Sequence, residues 1–205
     1  MGRTSDARER LVNAAVSMIR ATSYNSVSVD ELCRQADVRK GSFYHFFPSK
    51  RDLAVAAVDS WWESFSHDLL EPAFQSDVPP RERIIRCFEA AAQLHARVQE
   101  RIGKVQGCPV GNMSVELSAQ DELLRVKLDE ALQRFAGYFQ TALTEGIAQG
   151  DMPADMDVEG VSRGLLAFFY GSIMLAKTSN DAGVMKTLAG QVSGLIPGPA
   201  EVRLS

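Results

Sequence analysis

Apolar residues recur at helical spacing along nearly the whole chain. Leu11, Ala15, Met18 and Ile19, for example, fall on one face of a helix. No segment alternates as a strand does, and there is no internal repeat or low-complexity tract, so the chain is predicted to be all-α. Helices are predicted at residues 8–21, 28–36, 40–47, 49–70, 80–102, 109–118, 121–149, 157–177 and 181–196.

Local start signals support several of these helices. Ser28 followed by Glu31, and Ser49 followed by Asp52, are typical of side chains that cap a helix N-terminus. Pro80 and Pro109 suit the first turn of a helix, because proline needs no hydrogen-bonded N–H there. The helix predicted at 49–70 runs from the N-terminal region into the apolar core, and we expect it to act as a lever between them.

Residues 28–50 combine two short helices and a tight turn. In the second helix Phe43, Phe46 and Phe47 are predicted to face inward. The outward positions are Lys40, Ser42, Tyr44 and His45. This pattern predicts a helix-turn-helix whose second helix enters the major groove of DNA. An ordinary pair of amphipathic helices is the alternative, but its outer face is usually a mixture of Glu and Lys.

The outward side chains suit specific contacts with a duplex. Lys40 can donate to guanine O6 and N7 or to phosphate, and Gly41 lets the backbone approach closely. Ser42 and His45 can reach base edges or phosphates. Tyr44 offers a hydroxyl to phosphate and a ring to thymine methyl groups, or else packs half-buried. Lys50 is predicted to clamp a phosphate.

Charge is distributed unevenly along the chain. The net charge is −4, yet residues 1–51 hold nine Lys and Arg against five Asp and Glu, and the remainder holds thirteen against twenty-one. The basic region coincides with the predicted helix-turn-helix. An acidic remainder is repelled by phosphates, so the asymmetry orients the molecule on DNA.

Residues 27–53, VSVDELCRQADVRKGSFYHFFPSKRDL, resemble the TetR family of bacterial transcriptional repressors. The resemblance implies a three-helix DNA-binding domain at residues 1–52 and a larger helical domain at 53–205 that binds an effector and dimerises. It also implies contacts of Ser28 and of an Arg3–Thr4 arm with the DNA backbone. Arg39 departs from the small polar residue of many relatives, which weakens the helix cap but adds a cation for phosphate.

Residues 107–118, GCPVGNMSVELS, form a second notable stretch. Pro109 at the first helical position puts Cys108 at or beside the N-cap, where N–H groups and the helix dipole favour a thiolate. Together with residues 175–179, LAKTS, this stretch is similar to a subgroup of electrophile- and acrylate-responsive repressors. In that subgroup a cysteine here and a lysine at Lys177 are implicated in sensing. The alternative is a small buried cysteine that only packs.

The other large apolar side chains are expected mostly in the core, with some lining an effector pocket. His95 is expected at a solvated helix position, the alternative being a polar group of that pocket. The predicted effector-binding residues are Trp61, Phe65, Phe88, Cys108, Met113, Phe139, Phe169 and Lys177.

The helix predicted at 157–177 has a wider apolar surface than one face requires, with Gly164 and Gly171 at helical spacing. With the last helix it is predicted to form half of an intersubunit four-helix bundle, although both faces could instead be core. The predicted dimer residues are Gly164, Leu165, Phe168, Ser172 and Leu175.

These patterns predict a cytoplasmic repressor that binds a palindromic operator and is released by a small molecule or an electrophile. An enzyme using Cys108 as nucleophile and His95 as base would lack a third partner and a cofactor fingerprint. A purely protein-binding adaptor would leave the charge asymmetry and the Lys40 face unexplained. Three irregularly spaced cysteines indicate neither a disulfide framework nor a metal site, and no cofactor or membrane segment is expected.

Overall fold

The computed structural model describes residues 2–198, and for residues 2–5 it describes the backbone alone. Over this range the secondary structure is helical, with no strand, which confirms the predicted all-α class. The helices are α1 (Gly2–Ala21), α2 (Val29–Ala36), α3 (Lys40–Phe46), α4 (Lys50–Phe65), α5 (Glu71–Ala73), α6 (Pro80–Ile102), α7 (Pro109–Leu117), α8 (Glu122–Gln149), α9 (Val158–Ser179), α10 (Gly183–Ala189) and α11 (Val192–Leu195).

The chain forms two compact units. The first comprises Met1–Phe65 and Gln106–Ala131, and the second comprises Ser66–Val105 and Leu132–Ser205. The first unit therefore includes α7 and the start of α8 as well as the N-terminal helices. The functional division predicted at residues 52 and 53 does not follow these packing units and remains a prediction.

In the first unit α1 packs against α2, α3, α4 and α7. Its core is built from side chains that the apolar pattern put on inward faces, namely Leu11, Ile19, Leu32, Phe43 and Leu53, which are all buried. Burying a side chain of this size stabilises a fold by roughly 1.5–3 kcal/mol, so these residues fix the packing of the short helices.

In the second unit α6 packs against α10 and α11, and α9 also contacts both of these helices. Pro80 is the first residue of α6, as its sequence position predicts, and the helix ends at Gly103 with a φ of +74°. Rings from α6, α8 and α9 meet in the interior. Phe135 lies 4.9 Å from Phe139 and from Phe169, and Phe88 lies 5.4 Å from Phe169 between ring centroids.

The single helix predicted at residues 181–196 is wrong. The chain forms two short helices, α10 and α11, separated at Gly190 and Gln191. The guanidinium of Arg81, near the start of α6, donates to the carbonyl oxygens of Ser193, Ile196 and Pro197 at 3.1, 3.0 and 2.6 Å. A long-range donor thus satisfies the carbonyls at the end of α11, where no further helical turn follows.

The helix predicted at residues 49–70 is not α-helical throughout. The α-helix ends at Phe65, and Ser66–Leu70 continues as a π-helical turn before α5. Within the described part of the chain, no helix is long and apolar enough to cross a membrane.

Candidate nucleic-acid interface

The start of helix α2 is fixed by local hydrogen bonds. The Glu31 N–H donates to Ser28 Oγ at 3.2 Å, and the Ser28 N–H donates to the Glu31 carboxylate at 2.8 Å, which completes the predicted capping box. The Ser28 N–H and the Ser28 hydroxyl, which also donates to Glu31 Oε2 at 2.7 Å, hold the pKa of Glu31 below its usual value. Helix α2 ends at Asp37, whose φ of +51° lies in the left-handed region, and the turn to α3 is accordingly short.

Helix α3 is anchored from one side only. Phe43 and the following Phe47 are buried, whereas Phe46 is half-buried, so the expectation of three inward phenylalanines holds fully for two. Of the predicted outward residues, Lys40, Tyr44 and His45 are exposed and Ser42 is half-buried. The neighbouring Gly41 is also exposed. Tyr44 is 52% exposed while its ring lies 5.1 Å from the Phe43 ring in an edge-on arrangement, so it packs against Phe43 and still has half of its surface exposed.

The N-terminus of α3 carries two exposed cations. Arg39 occupies the N-cap and makes no side-chain capping hydrogen bond, as its departure from the usual polar residue predicts. Lys40 places its Nζ 2.8 Å from Asp30 Oδ1 of α2. The hydrogen bond and the charge of Asp30 raise the pKa of Lys40. Sequence reasoning missed Asp30, although its charge is opposite to that of Lys40 and both begin short helices.

The ammonium group of Lys50 contacts Tyr24 rather than standing open to a phosphate. Its Nζ donates to the Tyr24 carbonyl oxygen at 2.5 Å and lies 4.0 Å from the centre of the Tyr24 ring. Burial lowers the pKa of Lys50, opposed by the charges of Glu116 and Glu31. A phosphate contact by Lys50 therefore stays a prediction. Ser28 is exposed, and the side chains of Arg3 and Thr4 lie outside the described residues.

The predicted effector residues fall in both units. In the first unit Trp61 stacks on Phe65 at 4.7 Å, Met113 is buried, and Cys108 is the N-cap residue of α7 with 8% exposure. In the second unit Lys177 is half-buried in the last turn of α9. The remaining three belong to the ring cluster of the second unit, namely Phe88, Phe139 and Phe169.

Two open cavities lie elsewhere. A groove of about 820 Å³ in the first unit runs between α1 and α4, with Arg8, Asn13 and Glu63 among its lining residues. A cleft of about 430 Å³ in the second unit is lined by Phe74, Tyr138 and the Arg83–Glu145 ion pair. None of the predicted effector residues lines either cavity.

The predicted solvated position of His95 is wrong. It is buried rather than solvated, and its Nδ1 lies 2.9 Å from the Ala91 carbonyl oxygen one turn earlier in α6. The apolar period of α6 contains the signal for this burial, because His95 follows Phe88 by seven residues and Ala91 by four, and both of these are also buried.

The predicted dimer residues divide between core and surface. Leu165 and Ser172 are buried within the chain, and Ser172 Oγ donates to the Phe169 carbonyl oxygen at 2.7 Å. Gly164 and Leu175 are exposed and Phe168 is half-buried. Of the predicted dimer residues, only Gly164, Phe168 and Leu175 are therefore accessible for contact with a partner.

A short second helix that is anchored by the buried Phe43 and exposes cations and donors on its open face is typical of a helix-turn-helix DNA-binding protein. Comparison with known proteins agrees. The family model of bacterial regulatory proteins of the tetR family matches residues 11–57, and that of the tetracyclin repressor-like C-terminal domain matches residues 80–191.

Individual relatives extend the similarity over most of the chain. Transcriptional regulator AcuR of Cereibacter sphaeroides is 31% identical over 172 residues, which cover 83% of this chain and 76% of AcuR. HTH-type transcriptional repressor NemR of Escherichia coli is 24% identical over 195 residues, covering 95% of this chain and 96% of NemR. The crystal structure of regulatory protein TetR from Rhodobacter sphaeroides superposes with a TM-score of 0.83 at 27% identity, covering 93% of this chain and 98% of that one.

The chain belongs to the TetR family. It is a DNA-binding transcriptional regulator rather than an enzyme, and regulators of this family bind DNA and small-molecule effectors.

Proposed function

We propose that the protein is a repressor that binds a palindromic operator as a homodimer in the bacterial cytoplasm. The observation that carries this proposal is the open face of α3, where Lys40, Ser42, Tyr44 and His45 surround the buried anchor Phe43. Two such helices in one dimer reach successive major grooves if they lie about 34 Å apart. The basic N-terminal region supplies phosphate attraction, and the name repressor attached to NemR supports the direction of control.

The outer face of α9 is the proposed dimer surface. Met174 and Leu175 are 61% and 49% exposed, which is unusual for large apolar side chains. Cβ atoms added at Gly164 and Gly171 would meet nothing within 4 Å, so the face is open for close helix approach. Helices in bundles use such surfaces, and the half-buried Phe168 lies at the centre of the stripe.

Cys108 is the proposed sensing residue for an electrophile or other small apolar effector. Burial raises the pKa of the Cys33 and Cys87 thiols, and the negative charge of Asp30 adds to the effect at Cys33. Both are therefore poor nucleophiles. Cys108 is also buried but differs in position, because it is the N-cap residue of α7. Release of DNA then follows if effector binding favours a spacing of the two α3 helices that misfits the grooves, which requires about 3–5 kcal/mol of differential affinity.

The thiol reagent N-ethylmaleimide tests this sensing role. The wild-type protein first selects a duplex from a random-sequence library, and the affinity for this selected duplex is then measured before and after alkylation. We expect alkylation to weaken binding by the wild type and by Cys87→Ser and Cys33→Ser, but not by Cys108→Ser. If Cys33→Ser alone abolishes the response, the reagent acts at the DNA-binding helices. If no variant responds and no small molecule releases the DNA, the sensing proposal is wrong.

A further inference from the structure

The last carbonyl groups of α1 are satisfied by residues around the start of α7. A helix leaves its final carbonyls without intrahelical partners. Here the Gly107 N–H donates to the Arg20 carbonyl oxygen at 3.1 Å, and the Asn112 Nδ2 donates to the Ile19 carbonyl oxygen at 2.9 Å. The Arg20 Nε in turn donates to the Gly107 carbonyl oxygen at 3.3 Å. Helix α7 therefore supports the C-terminal end of α1 through hydrogen bonds that span about ninety residues of sequence.

Gly107 leaves room for the Asn112 side chain in its position beside the end of α1. A Cβ atom added at Gly107 would stand 2.6 Å from Asn112 Oδ1 and 3.0 Å from Asn112 Nδ2. Real Cβ atoms do not approach another heavy atom to 2.6 Å, so any larger residue at position 107 requires the amide end of the Asn112 side chain to shift. The Asn112 side chain therefore occupies the space that a side chain at position 107 would need.

Glu116, one turn further along α7, holds the turn that follows α1. Its Oε2 accepts the Tyr24 N–H at 2.8 Å, and its Oε1 accepts the Asn25 N–H at 2.7 Å. Both oxygens of one carboxylate thus fix two consecutive amides, and a charged acceptor makes each bond stronger than a neutral one. The Tyr24 carbonyl oxygen accepts a hydrogen bond from Lys50. Helix α7 and the start of α4 therefore bind the same peptide segment from opposite sides.

We propose that Gly107, Asn112 and Glu116, together the α7 clamp, are positioning residues for DNA binding. The clamped turn leads within three residues to Ser28, the N-cap of α2, and α3 follows α2 after a short turn. The clamp therefore sets the direction in which α2 and α3 leave α1. The proposal rests on the proposed binding of a specific operator, because only a specific site requires exact placement of α3.

At Glu116, loss of the charge and loss of the clamp predict opposite effects on DNA affinity. Removing a negative charge from the DNA-binding unit strengthens the attraction to any duplex. Loss of the clamp instead misplaces α3 and weakens binding to a specific site. Glu116→Gln removes the charge and leaves an amide N–H facing one of the two backbone N–H groups. The expected result is about tenfold weaker binding to the selected duplex, with binding to a scrambled duplex unchanged or tighter.

Glu130→Gln is the matched control, because Glu130 is an exposed carboxylate in the same unit. It removes the same charge without touching the turn, and we expect no loss of affinity for either duplex. Amide hydrogen exchange at Tyr24 and Asn25 supplies a readout independent of DNA, with faster exchange expected in Glu116→Gln alone. Equal losses on both duplexes would indicate general destabilisation and would overturn the positioning role.

Gly107→Ala disturbs the α7 clamp at Asn112 rather than at Glu116. It tests the positioning role if Glu116→Gln does not fold. It should weaken binding to the selected duplex several-fold, and adding Asn112→Ala should cause no further loss, because both changes remove one interaction. Additive losses, or unchanged affinity in Gly107→Ala, would contradict the clamp. Failure of the wild type to select any duplex would instead reject the proposed operator binding.

Discussion

Lys40 lies at the open face of α3 with its ammonium group bound to Asp30 of α2. Both side chains are more than half exposed, so water screens this ion pair and it holds Lys40 only weakly. A phosphate or a guanine can therefore replace Asp30 as the partner. Asp30 holds the lysine in place in the free protein and opposes binding to nonspecific phosphates.

The charge of Asp30 can be removed without changing the shape of the side chain. Asp30→Asn should tighten binding to selected and scrambled duplexes alike, because it frees Lys40 and deletes a repulsive charge. The slope of log affinity against log salt should steepen by about one unit. Fluorescence titrations over a range of salt concentrations measure both quantities. Unchanged affinity and slope would show that Lys40 does not approach the DNA.

The capping box makes the DNA-binding unit sensitive to acid. Since the pKa of Glu31 is lowered in the folded state, its contribution to stability is present above the ordinary carboxyl pKa and is lost as pH falls through the lowered value. Glu31→Gln keeps a side chain that can accept a hydrogen bond but cannot titrate. Urea unfolding between about pH 3 and about pH 7 should therefore show a shallower loss of stability for Glu31→Gln than for the wild type. Parallel pH profiles would contradict this role of Glu31.

At the scale of the helices, sequence reasoning succeeded where the determining contacts are local. Ser28, Pro80 and Pro109 each start the helix that their positions predict, and the buried anchors of α3 follow from spacing. It failed where distant residues decide the structure. The hydrogen bonds that Arg81 makes to the end of α11, more than one hundred positions later, are such a case, and no local pattern contains that information.

The candidate site divides in the same way. The open face of α3 could be predicted, because the side-chain types and the period of a short helix define it. The Asp30 partner of Lys40 and the contact of Lys50 with Tyr24 could not, because each depends on tertiary packing. The α7 clamp is the clearest case, since Glu116 reads as an ordinary solvent-facing residue in the sequence.

Arg81 is expected to hold α11 against α6. Arg81→Ala leaves the carbonyls of Ser193, Ile196 and Pro197 without their charged donor, which should cost about 1–3 kcal/mol of stability. Arg86→Ala is the control, because Arg86 makes only an exposed pair with Glu82. Its loss should cost no more than about 0.5 kcal/mol. Urea unfolding of the two variants measures the difference, and equal midpoints would contradict the role of Arg81.

At the scale of the whole molecule, the proposed dimer requires an uncharged outer face on α9. Phe168→Asp puts a charge at the centre of that stripe and should give monomers that bind the selected duplex far more weakly. Gln93→Asp adds the same charge at an exposed position of α6 and should leave the dimer intact. Sedimentation at micromolar concentration distinguishes the two. A wild-type monomer under these conditions would reject the proposed dimer.

The most direct test of the central claim is duplex selection by the wild type and by variants of the open α3 face. The account predicts that the wild type enriches a palindrome whose half-sites lie about one helical turn apart. Lys40→Ala and Tyr44→Ala should enrich altered sequences and bind the wild-type palindrome more weakly by about 1–3 kcal/mol. Enrichment of the same palindrome by all three proteins with equal affinity would contradict recognition of DNA through α3.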